Sequence, residues 1–381
     1  MHKILLFGTG SRCAEAKKHL DYTKVKIIAY IDNDKTKQGN YFDDKLIISP
    51  SEINNYDYDF IIITSIFSQE IESQLLQLDI PKYKIFPYGI DYGTYSLSEQ
   101  LNKIINSNEY ELFITGLSFA YCGIDTESLN KKSVNLAFFS QDLFYDYQIA
   151  KKVINKTKSK IKYVLLGLSY YSFQYDLSKS INKDFCVSRY VGIVNSLHNY
   201  VISKNNNIDS SDNILDSIWY YKNFFTAKSL KEGFIAFKKQ DNLLLEKNFC
   251  ELSKSAKKIQ GKDSAIQASN KNYPKTVIEN TQILDDYLTL LKNNNIAPIL
   301  VIFPTTKYFY NYFSKSLKDE FYKIINDLNL RYDFQIFDYF ESNLFNEGDF
   351  MDSSHLNKNG SKKITELLNT KIDLIENTIN Y

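Results

Sequence analysis

Strand-length apolar runs and amphipathic helix-length segments alternate along this chain. Near the N-terminus, KILLFG (3–8) is an apolar run that closes on glycine, and SRCAEAKKHL (11–20) carries helical spacing. VKIIAYIDND (25–34) predicts a second strand with acids at its end, and DYDFIIITS (57–65) a third. The amphipathic SQEIESQLLQL (68–78) follows, and YKIFPY (83–88) reads as a short last strand. Strands that alternate with helices predict a parallel sheet covered on both faces. Residues 91–108 read as a polar linker with helical character between a first domain, 1–90, and a second, 109–381.

The second domain repeats the pattern. ELFIT ends in Gly116-Leu117-Ser118, VNLAFFS (134–140) at Ser140, and IKYVLLGLS (161–169) at Gly167 and Ser169. IAPILVIFP (296–304) follows the amphipathic TVIENTQILDDYLTLLK, and FQIFDYF (334–340) is the last strand. This predicts a three-layer α/β/α arrangement. Ligands in open parallel sheets sit at the strands' C-terminal ends, so Ser118, Ser140, Ser169, Thr305 and the 349–355 loop are expected at one edge. The alternation breaks over about 178–270, where LHNYVI, ILDSIWYYKNFF and LLLEKNFCELSKSAKK predict a helical insertion over that edge. The charge runs at 237–263 read as a solvated face.

Composition narrows the partners. Forty-six basic and 45 acidic residues leave a formal charge of +1, too little for a global field that would draw the chain to nucleic acid or an anionic membrane. The longest apolar runs, FIIIT (60–64) and ILVIF (299–303), fall far short of the about 20 residues a membrane span needs. Cys13, Cys122, Cys186 and Cys250 are scattered, with no C-x-x-C and no metal-type spacing to histidine, which fits a reduced, cytoplasmic protein without metal. No feature fixes an oligomeric state.

Two stretches carry candidate chemistry. Gly8-Thr9-Gly10 follows the first strand and opens a helix, where backbone can approach a phosphate. Asp32 closes the second strand, a place where an acid takes ribose or sugar hydroxyls. Cys13 stands where the third glycine of a dinucleotide fingerprint would be, so a ligand-free tight turn fits as well. Near the C-terminus, Asp352-x-x-His355 precedes the last helix. A serine nucleophile needs a neutral imidazole whose Nδ1–H is held by a carboxylate, leaving Nε2 for the hydroxyl. Ser118, at a strand's end, can supply that hydroxyl, though a serine there is commonly a helix cap, and Asp352 can equally cap the helix that follows.

FGTG followed by IAYIDNDKTKQGNYFDDKLIISPSEI resembles the small Rossmann-like domain of bacterial sugar O- and N-acetyltransferases and related surface-glycan enzymes, over about residues 3–88. That resemblance implies a nucleotide-sugar ligand held by Gly8, Gly10, Asp32 and Asp34. The order G-x-S, then D-x-x-H-L-N-x-x-G, resembles the SGNH (GDSL-type) hydrolase superfamily over about 108–381, in the branch related to the D-alanine transfer protein of teichoic acid and to surface-glycan O-acyltransferases. It implies Ser118 as nucleophile, His355 as base, Asp352 as its orienter, and a small-molecule or glycan substrate with acyl-CoA as a candidate donor. The family's oxyanion glycine falls at Ser140, and its oxyanion Asn at Ser169-Tyr170-Tyr171, where Ser169 or a tyrosine hydroxyl would have to serve. Tyr308 and Tyr310 are expected at the pocket edge. The incomplete middle motifs also fit a degenerate domain that only binds a glycan or nucleotide-sugar, or transfer of a phosphate-containing group. Geometry separates these: Ser118 Oγ within reach of His355 favours an enzyme, and Ser118 turned away to cap a helix favours binding.

Overall fold

The structure, a computed structural model, describes residues 1–65, 67–88, 92–181, 183–190, 193–200 and 223–379. It divides into two compact units. One is Met1–Tyr95 with the described part of Val201–Phe237, and the other is Ser96–Tyr200 with Lys238–Tyr381. Both are α/β units built on parallel sheets.

The first unit holds strands β1 (His2–Phe7), β2 (Val25–Ile31), β3 (Tyr41–Phe42), β4 (Lys45–Ile48), β5 (Phe60–Ile63) and β6 (Ile85–Pro87), with helices α1 (Ser11–His19) and α2 (Ser68–Gln77). The sheet order is β3-β4-β2-β1-β5-β6, and only β3–β4 is antiparallel. Along β1, Ile4 and Leu6 pack with Cys13 and Ala16 of α1, while Leu5 and Phe7 pack with Ile71 and Leu75 of α2. Both faces are covered, so the strands read as unbroken apolar runs. The β3–β4 hairpin was not expected. Its turn residues Asp43 and Asp44 both have positive φ, 46° and 58°, as a tight right-twisting hairpin requires.

The second unit contains α3 (Tyr92–Asn106) from Ser96 on, β7 (Leu112–Gly116), α4 (Ser118–Gly123), β8 (Ser133–Asn135), α5 (Leu143–Lys156), β9 (Tyr163–Leu168), α6 (Lys183–Ser188), α7 (Ala227–Leu245) in its later part, and α8 (Lys254–Ser269). It continues with α9 (Pro274–Asn293), β10 (Ala297–Ile302), α10 (Lys307–Tyr310), α11 (Lys315–Tyr332), β11 (Gln335–Asp338) and α12 (Lys358–Ile379). Its sheet, β11-β10-β9-β7-β8, is parallel throughout. Phe113, Leu166 and Leu300 face the layer formed by α3, α5, α9 and α11; Leu112, Ile114, Leu165 and Val301 face α4 and α12.

Three expectations change. The stretch 91–108 is no linker, because α3 buries Leu97, Leu101 and Ile104 in the second unit's core. The strand expected over 134–140 stops at Asn135, whose side chain accepts from Ala137 N at 3.0 Å and turns the chain, although Leu136 and Phe138 still donate to the carbonyls of Ile114 and Gly116. The insertion is largely helical among its described residues, but it does not belong to one unit. Asp21 N donates to the Phe224 carbonyl, Thr226 N to that of His19, and Phe224 and Phe225 are buried in the first unit's core. The helix expected over 214–225 lies mostly outside the described residues. All four cysteines are free, and no described helix is long and apolar enough to cross a membrane.

Phe224 is fully buried against Phe60 and Phe86. Phe224→Ala is expected to destabilise the first unit by about 3–5 kcal/mol. Denaturant unfolding followed on that unit checks this, and a loss below about 1 kcal/mol would detach Phe224 from the core.

Candidate active site

The site begins at the end of β7. Gly116 has φ +135°, and a Cβ there would stand 2.3 Å from the Gly167 carbonyl oxygen. A Cβ on Gly167 would meet the Ala120 methyl at 2.4 Å. The two strands therefore touch through bare backbone, and the chain turns at once into α4. Leu117 is the N-cap and makes no side-chain cap bond. Ser118, the first helical residue, caps nothing; its Oγ lies 2.9 Å from His355 Nε2.

His355 is held by its own turn. Asp352 Oδ1 accepts from the amides of Ser354 and His355, both at 2.8 Å, and the carboxylate meets His355 Nδ1 at 2.9 and 3.1 Å. One acid thus shapes the loop and orients the ring. With the Nδ1 proton held there, a neutral ring offers Nε2 as acceptor to the serine hydroxyl. Burial raises the Asp352 pKa, but the bonds from His355 and the two amides outweigh it and keep the carboxyl below its ordinary value. Phe119 stacks on the imidazole at 4.9 Å between centroids. The helix cap falls to Asn357 instead of Asp352: its Oδ1 accepts from Asn359 and Gly360, and its Nδ2 donates to the Gly348 carbonyl at 2.8 Å. Thr306 donates to the Ser353 carbonyl through both its amide and its hydroxyl.

A cavity of about 350 Å³ opens on this line. Ser118, Ser140, Asp352 and His355 border it, with Phe119, Tyr171, Tyr175 and Phe309 as aromatic wall. Helix α8 of the insertion closes another side through Gln260, Ser264, Gln267 and Ala268, and packs so tightly on α10 that a Cβ on Gly261 would meet the Tyr308 carbonyl at 2.4 Å. A larger cavity, about 570 Å³, lies at the other ends of β10 and β11, by Ala297 and Gln335, and none of Ser118, Asp352 and His355 lines it.

Ser140 has φ +60°, a conformation that favours glycine. Arg189 donates to the Phe139 carbonyl at 2.8 Å and Tyr175 to that of Ser140 at 3.4 Å, which holds the turn. Ser169 does not line the cavity. It is buried, and its amide donates to Ser172 Oγ at 3.0 Å. Tyr308 and Tyr310 do not line it either; they pack on the two core layers, and Phe309 between them takes the place expected of them.

In the first unit, Gly8 has φ +103° and sits against the Thr64 carbonyl, while Gly10 precedes α1 with open space around it. Asp32 is turned inward: Thr9 donates to it through its amide and hydroxyl, at 3.1 and 2.5 Å, and Lys37 pairs with it at 3.1 Å. Burial raises its pKa, and these partners with the Asp34 amide bring it below the ordinary value. Asp34 accepts from the Thr36 amide and hydroxyl in an exposed turn. Both acids therefore hold the loops around the glycine turn.

A family model described as C2185-like, N-terminal, matches residues 1–86. Among curated proteins none matches the chain. The C2185-like stretch runs from β1 almost to the end of β6, so it contains Gly8, Gly10, Asp32 and Asp34 and stops before β7, Ser118, Asp352 and His355.

A second titratable cluster has no local signature in the chain. Asp142, Asp176 and His198 bring ligand-type atoms within 4.8 Å of one another, which corrects the expectation that no such grouping exists. The protein's own donors fill its two carboxylates. Asp142 accepts from the Tyr145 and Leu177 amides, and Asp176 from Ser178, Asn199 and Lys179. His198 Nδ1 lies 3.4 Å from Asp176 and 3.9 Å from Asp142, and Nε2 lies 3.1 Å from Glu279. A cation on Asp176 and four occupied carboxylate oxygens make this a buried charge staple. Burial pushes Asp142 up to about 6. For His198, burial works downward, but the Asp176 bond and the charges of Asp142, Asp176 and Glu279 raise its pKa.

A raised histidine pKa adds stability that is complete below the unfolded value, about 6.5, and is lost as pH climbs through the folded value. Asp142, raised to about 6, loses its contribution between about pH 4 and 6 and is silent above. Wild-type Tm is therefore expected to drop by a few degrees, about 2–4 °C per kcal/mol lost, as pH rises above 6.5. His198→Gln should flatten that part of the profile; equal slopes by calorimetry would remove His198 from the pH dependence.

Proposed function

We propose that the second unit is an SGNH-type serine acyl hydrolase or O-acyltransferase, acting on the cytoplasmic side in the biosynthesis of a cell-surface glycan. The observation that carries this reading is the line Ser118–His355–Asp352, with 2.9 Å at both joints. Ser118 Oγ attacks the acyl carbonyl of an ester or thioester. His355 Nε2 takes the hydroxyl proton and returns it to the leaving group, and Asp352 holds the ring and stabilises its charged form. The amides of Ser118 and Ser140 face the developing oxyanion. The acyl-enzyme is then resolved by water or by a sugar hydroxyl, with hydrolysis and transfer sharing every step up to that point.

The glycan assignment rests on the likeness of the first unit's glycine turn and strand-end acids to sugar acetyltransferases, and with it come a nucleotide-sugar ligand there and an acyl-CoA donor. One observation favours a slower or binding-only domain: Ser169, at the position of the family's oxyanion Asn, is buried and does not line the cavity, its amide bonded to Ser172 Oγ. Loss of one such donor costs about 10²–10³ in rate.

Intact-mass analysis after exposure to a fluorophosphonate tests the nucleophile. Wild type should gain one adduct and Ser118→Ala none. His355→Ala should abolish ester turnover, and Asp352→Asn should lower kcat about 10⁴-fold, with the fold intact by circular dichroism. An unlabelled wild type would sink the triad and leave the binding-only reading.

A further inference from the structure

Lys271 lies on the wall of the cavity that holds Ser118 and His355. It follows the last turn of α8, its amide bonded to the Ser269 carbonyl at 2.9 Å, and its ammonium rests over the Tyr171 ring, 5.4 Å from the centroid. We propose that this cavity takes a substrate with an anionic group, a carboxylate or phosphate on the acyl donor or acceptor, and that Lys271 selects it. This rests on the serine-nucleophile reading of the same site.

The argument is one of charge balance. Three other part-buried lysines of this unit have a carboxylate, Lys257 with Glu347 at 2.7 Å, Lys363 with Asp349 at 3.0 Å and Lys162 with Glu111 at 2.6 Å, and Lys152 donates to the Ile193 carbonyl. Among the described residues Lys271 has none. Burial alone acts on it, and lowers its pKa. Asp352, the carboxylate on the cavity wall, is engaged by His355 and two amides and cannot serve as its counter-ion. The Tyr171 face offsets part of the lost hydration but supplies no negative charge. A desolvated cation without a counter-charge is costly to keep, and an anionic substrate oxygen would balance it. Gln260, Ser264 and Gln267 complete that wall with neutral hydrogen-bonding groups. They can orient such a group without competing for its charge.

The test compares ester pairs that differ only by an anion, on the full chain. For the acyl side the pair is p-nitrophenyl hemisuccinate and p-nitrophenyl butyrate. For the leaving-group side it is acetyl-phosphopantetheine and acetyl-pantetheine. For the acceptor, with p-nitrophenyl acetate as donor, it is methyl glucuronide and methyl glucoside. In at least one pair wild type should favour the anionic member about tenfold or more in kcat/KM, and that pair names the source of the anion. Lys271→Met should bring the ratio near one through KM, and Lys271→Arg should restore it. Equal rates in all three pairs, or a preference that survives Lys271→Met, would overturn the proposal.

A second readout does not need turnover. With lysines ¹³C-methylated, the Lys271 resonance, assigned by its absence in Lys271→Arg, should shift saturably with succinate or methyl phosphate. A silent resonance in a protein that still hydrolyses esters overturns the anion site and leaves Ser118 standing. A shifting resonance in a protein with neither adduct nor turnover keeps the anion site and overturns the nucleophile.

Discussion

The contact between Gly116 and Gly167 is the constraint from which the second unit's site is built. Two neighbouring parallel strands end with main chain against main chain, at a separation that excludes even a methyl group. Because β7 can neither continue nor drift away there, the chain enters α4 directly. Ser118 is thereby fixed at the C-terminal edge of the sheet, with the first amides of a helix beside it. Ala120 occupies the space that Gly167 leaves, so the small residues after the serine belong to the same packing solution.

The partner of Ser118 arrives from the far end of the chain, and its position is over-determined locally. The turn from Asp349 to Asn357 is closed by the Met351–His355 and Asn357–Asp349 backbone bonds, and a Cβ on Gly360 would strike the Asp349 carbonyl at 2.1 Å. An imidazole on a long loop would lose rotamer freedom each time it met the serine. Here the ring is held by Asp352 on one nitrogen and Phe119 on one face, so most of that cost is met by folding. Such prior ordering separates a histidine near a serine from one poised to take its proton.

What could be read from the chain follows the range of the interactions. Parallel strands were legible because burial on both faces leaves unbroken apolar runs, and Asp352-x-x-His355 because one turn contains the whole contact. Ser118 was legible as a candidate only, since its contact with His355 spans most of the chain. Three features were hidden. The β3–β4 hairpin turns on Asp43 and Asp44 without a glycine to announce it. Helix α3 spaces Leu97, Leu101 and Ile104 at helical intervals among Ser, Asn and Gln, so its apolar stripe looked like a polar connector. Asp142, Asp176 and His198 come from three separate segments, and nothing local distinguishes them from ordinary caps.

Four charge settings in this molecule show how burial and function part company. Asp32 is closed by Thr9 and Lys37, and Asp142 and Asp176 by amides and Lys179; these carboxylates are satisfied without a ligand and hold structure. Asp352 is equally saturated, but it passes its influence through His355 to a nitrogen whose partner, Ser118, borders open space. Lys271 borders the same space with no opposing charge among the described residues. An incomplete charge at a cavity wall is one that a group from outside the chain can complete. Ser118 and Lys271 share one cavity, and the larger cavity at the opposite strand ends has none of Ser118, Asp352 and His355 on its wall.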